Sequence, residues 1–287
     1  MNVTKDKLFH IGLVAIIVVL IGVSIYFRTT RGTDTLQNEF LSKADKLDAE
    51  QLLQHVPENT PPPGAIKVPI LIYHSVAAHT ASQSAVQKYY DVAPESLEKQ
   101  LRYLRDNGYT PIGLDFLTEA LVQTITLPPK SVVLTFDDGW ENQFLYAYPL
   151  LKKYSYTATF FIFTHAIDHK SFLTWDQVKT MDAGGMTIGG HTRTHPYLPD
   201  ITDPVVLRRE IIGGKSVVEN RIGHAISLFA YPYGHYNDEI IGIVKEAGYE
   251  AARSAYKGIY HTRDDLYTLK GVEATDDFTK FVKDLNE

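Results

Sequence analysis

Two aspartates stand side by side in residues 132–140, VVLTFDDGW, and Gly139 follows at once. Adjacent carboxylates repel, so Asp137 and Asp138 either form a solvated turn or share a site with something positive. A second group lies in residues 189–196, GGHTRTHP, where His191 and His195 are four apart. On one helical turn, or in a tight loop, two such imidazoles point the same way. Two histidines and one carboxylate leave coordination positions open, the pattern of a catalytic rather than a structural metal. Asp-Gly is also an ordinary turn dipeptide, and an HxxxH pair can be no more than a polar loop. Each signal is weak alone; together, each after an apolar strand, they favour a metal. A divalent cation on Asp138 offsets one of the two charges. Asp137 is then free to act as general base on a water that the cation acidifies.

Other residues are more ambiguous. In residues 228–237, LFAYPYGHYN, Pro232 and Gly234 bracket Tyr233 in a rigid turn. A backbone N–H there can stabilise an oxyanion, and an ordinary aromatic turn reads the same way. His74 ends the run ILIYHSV and is either structural or catalytic. Trp140, Trp175, Tyr231 and Tyr233 offer flat faces for sugar rings or for core packing.

The elements that position these groups alternate. Residues 68–76 read as a buried strand, 94–107 as an amphipathic helix with Gly108 at its C-terminal cap, and 131–136 as a second strand. Residues 142–154 read as a helix, 157–163 as a strand and 174–182 as a short helix, and strands and helices continue to alternate through 186–247. Such alternation predicts a parallel α/β sheet, open or closed into a barrel, with chemistry at the strands' C-terminal ends. Asp137, Asp138, His74, His191 and Tyr233 all follow predicted strands, so they can meet on one face.

The chain has 287 residues, 44% hydrophobic and 22% charged, which fits one large domain and excludes wholesale disorder. A net charge of −6 argues against a nucleic-acid partner. With no cysteine there is no disulfide framework and no thiolate chemistry, so any metal sits on His, Asp or Glu. Residues 8–27, LFHIGLVAIIVVLIGVSIYF, carry no charge and would span about 30 Å as a helix, enough for a bilayer core. The run is longer than the apolar part of a signal peptide and no A-x-A-like site follows, so a retained anchor is expected over residues 1–28. Residues 29–64 read as a juxtamembrane stalk with a Pro-rich linker, ENTPPPG, and residues 65–287 as the main domain. Lys5 and Lys7 before the span balance Arg28 and Arg31 after it, so charge leaves orientation open.

Thr135-Phe136-Asp137-Asp138-Gly139, with His191-Thr192-Arg193-Thr194-His195 about fifty residues on, resembles the polysaccharide deacetylases of carbohydrate esterase family 4. The runs PPKSVVLTFDDG, YTATFFI, LTWDQVKTM and IGGHTRTHPYL agree, and the similarity covers residues 68–285. The resemblance implies a distorted (β/α) barrel that removes acetyl groups from N-acetylated sugars. By motif position it makes Asp137 the base, Asp138, His191 and His195 the ligands of a divalent metal, and Tyr233 the donor of an oxyanion-hole N–H. Zinc is the usual metal, and such ligands also suit Co2+, Ni2+ or Mn2+. Two departures stand out. Ala230 occupies the place of an arginine that orients the base, and Leu269-Lys270-Gly271 lacks the histidine of a C-terminal Leu-x-His motif. Both look like the subgroup of poly-N-acetylglucosamine deacetylases, whose permuted order makes a histidine after the first strand the general acid. Tyr73-His74 fits that description, with His235 as the fallback acid.

The expected reaction is metal-dependent N-deacetylation of a cell-wall or extracellular polysaccharide rich in N-acetylglucosamine. Such glycans lie outside the membrane, so the domain is expected to face outward from a single-pass anchor. Two other readings stand beside it: an O-acetyl esterase on a glycan, which the motifs do not separate, and an inactive membrane-anchored glycan binder, which the two departures favour.

Overall fold

The computed structural model describes residues 61–123 and 125–286. The apolar run 8–27 and residues 29–60 of the stalk and linker lie outside the described residues. Among the described residues, no helix is long and apolar enough to cross a membrane.

The short apolar runs become strands that all point the same way. They are β2 (Ile70–Tyr73), β3 (Thr110–Ile112), β4 (Ser131–Phe136), β5 (Thr159–Ile162), β6 (Thr187–Gly190), β7 (Leu228–Ala230), β8 (Ala251–Lys257) and β10 (Leu269–Glu273). β2 pairs with both β4 and β10, which closes a parallel ring of seven strands in the order β2-β4-β5-β6-β7-β8-β10. β3 stays outside the ring, paired with residues 131–133 of β4, while β5 pairs with Thr135 and Phe136. The short strands β1 (Ile66–Lys67) and β9 (Tyr260–His261) form a separate antiparallel pair. The expected distorted barrel is therefore present in the described chain.

Helices connect the strands: α1 (Ala85–Tyr90), α2 (Pro94–Asp106), α3 (Leu114–Val122), α4 (Tyr148–Tyr154), α5 (Trp175–Ala183), α6 (Pro204–Ile222), α7 (Asp238–Glu246) and α8 (Phe278–Asp284). The expected helix over 142–154 is split. A wide π turn over Gln143–Ala147 precedes α4, because Gln143 turns inward to the barrel mouth, as described below.

The strand period of two decides which residues meet inside the ring. Leu71, Tyr73, Val132, Leu134, Phe136, Phe160, Ile162, Phe229 and Ala252 face outward into the larger apolar cluster, against the helices. Ile70, Val133, Phe161, Leu228, Ala230, Ala251 and Leu269 form the inner cluster, sealed by Leu114, Leu117 and Leu121 of α3. The same parity carries His74 (with Ile70 and Ile72), Asp137 (with Val133 and Thr135), Arg253 (with Ala251) and Glu273 (with Leu269 and Gly271) to the inside, at the upper end.

Gly234 fits where no side chain can. Its φ is +77°, and a Cβ there would lie 2.4 Å from the backbone nitrogen of Ala255. Gly248 has a similar φ of +76° in open space. Gly248→Ala is expected to cost about 1 kcal/mol of stability. Gly234→Ala is expected to cost about 1–3 kcal/mol more, because the β7 turn must also move off β8. Paired urea unfolding curves check the difference, and equal losses would refute the close packing of that turn.

Candidate active site

The strand ends bring five of the six residues singled out in the sequence into direct geometric relation, and the sixth touches them by its ring. Asp138 Oδ1 lies 3.5 Å from His191 Nε2 and 3.4 Å from His195 Nε2, and the two Nε2 atoms are 3.1 Å apart. All three residues are buried. Asp138, His191 and His195 can together hold a metal ion.

The donor set suits one. Asp138 Oδ1 is buried without a hydrogen-bond partner and faces both imidazoles, while Oδ2 accepts from Trp140 Nε1 at 3.0 Å. His191 Nδ1 sits 2.7 Å from the carbonyl of Ala230. A carbonyl only accepts, so the ring proton belongs on Nδ1 and the Nε2 lone pair points at the triad. Burial pushes His195 down to about 3, with His191 adding to the effect, so its ring is neutral at physiological pH and also offers a lone pair. Burial opposes ionisation of Asp138, yet the imidazoles gathered around it hold its carboxyl well below the usual carboxylate range.

The loops that present these groups are held in an uncommon conformation. Asp138 (φ +77°), Thr192 (+69°), His195 (+58°) and Tyr233 (+59°) are four of eight left-handed non-glycine residues among those described. Such backbone persists where the surroundings impose it, and it gathers at functional sites. Here the surroundings are visible. Thr192 Oγ1 accepts from His195 N at 3.0 Å, and Glu210 of α6 accepts from Arg193 N and Thr194 N at 3.1 and 2.8 Å. The two histidines thus share a tight loop rather than a helical turn. Tyr233 lays its ring edge against His195, with centroids 4.7 Å apart.

Asp137 does not touch the two histidines. Its carboxylate accepts from Arg253 Nη2 through both oxygens, and both residues are buried. Arg253 was not legible as a site residue from sequence, because nothing in AARSAY marks its partner. The strand register supplies the missing link. Ala230 pairs with Arg253 on the neighbouring strand, so the guanidinium enters the barrel at the level of the missing arginine.

His74 lies between two carboxylates. Nε2 is 4.0 Å from Asp137 Oδ2, and Nδ1 is 3.6 Å from Oε2 of Glu273 at the end of β10. The Tyr90 ring covers it at 4.7 Å. Burial alone would lower its pKa, but Glu273, Asp138 and Asp137 outweigh burial, and the net direction is upward. Glu273 itself is raised, first by burial and then by Asp137, against the pull of His74 and Arg253. The alternative acid, His235, sits elsewhere, 3.3 Å from Tyr256 Oη, and burial lowers its pKa.

Gln143 joins the two halves. Its amide donates to the carbonyl of His74 at 2.8 Å and to that of Asp137 at 2.5 Å. The π turn after β4 accommodates this fully buried, inward-turned side chain. Among the aromatic residues considered for sugar stacking, Trp140, Trp175 and Tyr231 are instead buried in the core. Trp140 stacks on Phe172 at 4.5 Å, and Tyr231 packs on Phe229.

A closed parallel barrel with a buried Asp-His-His triad and a paired carboxylate at its mouth defines a class of hydrolase. The comparisons agree. The model of the polysaccharide deacetylase family matches residues 124–252. The Bacillus subtilis protein YxkH, named for the polysaccharide deacetylases, is 31% identical over 209 residues, covering 73% of this chain and 72% of that protein. The poly-β-1,6-N-acetyl-D-glucosamine N-deacetylase of Staphylococcus aureus is 25% identical over 218 residues, covering 70% of this chain and 74% of that enzyme. The structure of the Streptococcus pyogenes deacetylase PplD in complex with acetate superposes with a TM-score of 0.72 at 26% identity, over 79% of this chain and all of that one. The chain belongs to the polysaccharide deacetylase family, carbohydrate esterase family 4.

Two substitutions check this architecture. Arg253→Met leaves the buried Asp137 without its cation and is expected to cost about 3–5 kcal/mol in urea unfolding. Gln143→Leu strips partners from two carbonyls and is expected to cost about 1–3 kcal/mol for each. Zinc uptake measured by calorimetry is expected to be lost in Asp138→Asn; retention of tight one-to-one uptake would remove Asp138 from the metal site.

Proposed function

We propose that the protein is a metal-dependent deacetylase that removes acetyl groups from N-acetylglucosamine units of a polysaccharide outside the cytoplasm. The observation that carries this reading is the buried Asp138–His191–His195 triad, set beside an arginine-paired carboxylate and a histidine flanked by carboxylates. The names of the Staphylococcus aureus and other relatives as N-deacetylases support the amide substrate. The uncharged run at residues 8–27 supports a membrane anchor, and the location of such glycans supports an outward-facing domain.

Asp138, His191 and His195 would hold a divalent cation, zinc first among the candidates, and it would supply Lewis-acid chemistry to the acetyl carbonyl and a lowered pKa to the water. The chain's own residues do the rest. Asp137, oriented by Arg253, takes the proton from water as its oxygen adds to the carbonyl carbon. The oxyanion that forms is met by the Tyr233 N–H. His74, protonated and oriented by Glu273, passes its proton to the nitrogen. The C–N bond then breaks, and acetate leaves a free glucosamine amine. An amine departs poorly without that proton, which is why an acid is required on this side.

Neither departure leaves the site without the group concerned, which speaks against an inactive glycan binder. Arg253 stands where Ala230 left a gap, and His74 lies within reach of Asp137 without a Leu-x-His motif.

Acetate release from N-acetylglucosamine oligomers is expected to require added metal and to stop with chelator. Asp137→Asn and His74→Gln are each expected to lower kcat about 10²–10⁴-fold. A metal-loaded enzyme that releases acetate from O-acetylated glycans and not from N-acetylated ones would replace this reading with that of an esterase. The pH profile has a fixed sign. His74 must be protonated to act, so activity falls as pH rises through its pKa, and the carboxylates around it set that fall above the ordinary histidine value. Glu273→Gln removes the largest raising charge and is expected to move the alkaline limb to lower pH. An unmoved limb would exclude His74 as the titrating acid.

A further inference from the structure

Beyond the triad, half-buried aromatic rings follow one another past the strand ends. Tyr197, His235 and Tyr256 are each half-buried. They extend outward from the triad in ring-to-ring steps. His195 meets Tyr233 at 4.7 Å, Tyr233 meets Tyr197 at 6.1 Å, Tyr197 meets His235 at 5.4 Å and His235 meets Tyr256 at 5.7 Å. The three outer rings come from three different strand ends, after β6, after β7 and within β8, so the strip crosses one side of the mouth.

We propose that Tyr197, His235 and Tyr256 form a subsite that holds the sugar unit next to the one carrying the reacting acetyl group. The proposal rests on the deacetylase reading for the identity of that sugar.

The chemistry fits a pyranose. A sugar ring presents C–H groups on its faces and hydroxyls at its rim. Tyrosine and histidine rings present an apolar face and a polar tip, so one contact satisfies both kinds of group. A neutral platform also suits a neutral glycan, since covering it strips no charge of water. His235 is such a ring, because burial lowers its pKa.

The strip is also held in place before any sugar arrives. Tyr256 Oη lies 3.3 Å from His235 Nδ1. Gly234, one residue before His235, fits against Ala255, one residue before Tyr256, with no space for a Cβ. Leu198, next to Tyr197, is fully buried and anchors the turn Leu198–Asp200. Rings that are already fixed lose little freedom on binding, so each contact is expressed more fully as affinity.

The test is calorimetric titration of the metal-loaded protein with β-1,4- and β-1,6-linked N-acetylglucosamine tetramers and with N-acetylglucosamine itself. Acetate release is followed on the same tetramers and on 4-nitrophenyl acetate. Tyr197→Ala and Tyr256→Ala are each expected to weaken the tetramer about five- to tenfold. They are also expected to narrow the gap in kcat/KM between tetramer and aryl acetate by the same factor. Tyr197→Leu, which keeps bulk and loses the flat face, carries the same expectation if the alanine variant folds poorly. Tyr197→Trp is expected to restore binding. Unchanged tetramer affinity in both alanine variants overturns the subsite, as does a wild type that binds neither tetramer more tightly than the monosaccharide. Tetramer binding that depends on Tyr197 without acetate release from any glycan supports the subsite and overturns the deacetylase reading instead.

Discussion

Three carboxylates crowd the mouth of this barrel, and the structure depends on how their charge is met. Asp137, Asp138 and Glu273 stand at the ends of β4 and β10, with Arg253 and His74 among them. A buried carboxylate left unpaired is costly. Each of the three has a different answer. Asp137 is held by the Arg253 guanidinium. Glu273 faces His74 and shifts toward its protonated form. Asp138 turns one oxygen to Trp140 and the other to two imidazoles, which leaves its charge to a cation. The same distribution separates the roles, since one carboxylate is paired, one is poised to ligate and one flanks an imidazole.

Geometry enforces that separation. Adjacent residues on a chain with period two would point to opposite faces, so Asp137 and Asp138 cannot both follow the inner column of β4. Asp137 continues that column and meets Arg253. Asp138, in a left-handed turn, leaves it for the histidines. The turn is uncommon for an aspartate, and the packing of Gly139 against Ile162 and Ile167 shows how little freedom surrounds it. Gln143 then ties the carbonyls of His74 and Asp137 together from a π turn, so that β2 and β4 keep one spacing at their ends. Around the other side, Glu210 fixes the loop between the two histidines from below. The groups are therefore held by neighbours on separate elements rather than by their own segments.

Much of this was legible in the order of the residues. Apolar runs at strand length and amphipathic runs at helix length alternate along the chain, and that alternation already implied a parallel α/β fold with its chemistry at the strand ends. The two carboxylates beside a glycine and the histidines four apart were visible as a candidate metal set, because ligands grouped in two short segments leave a local pattern. His74 was visible only through its place after the first strand.

What the sequence could not determine was everything that depends on register between strands. Arg253 is sixteen positions past the turn at Asn237 and looks like any strand residue, yet pairing with Ala230 puts its guanidinium on Asp137. Glu273 reaches His74 across nearly two hundred residues of sequence because β10 pairs with β2 to close the ring. The aromatic residues divided in the same way. Trp140, Trp175 and Tyr231 read equally as sugar platforms or core and pack in the interior, while Tyr197 and Tyr256, which gave no signal, stay half-buried against His235, which had been weighed only as an acid. Residue type and spacing fix what a side chain can do and which way it leaves its own strand. Which side chain it then meets is a property of barrel closure, set by packing and hydrogen-bond register between segments far apart in the chain.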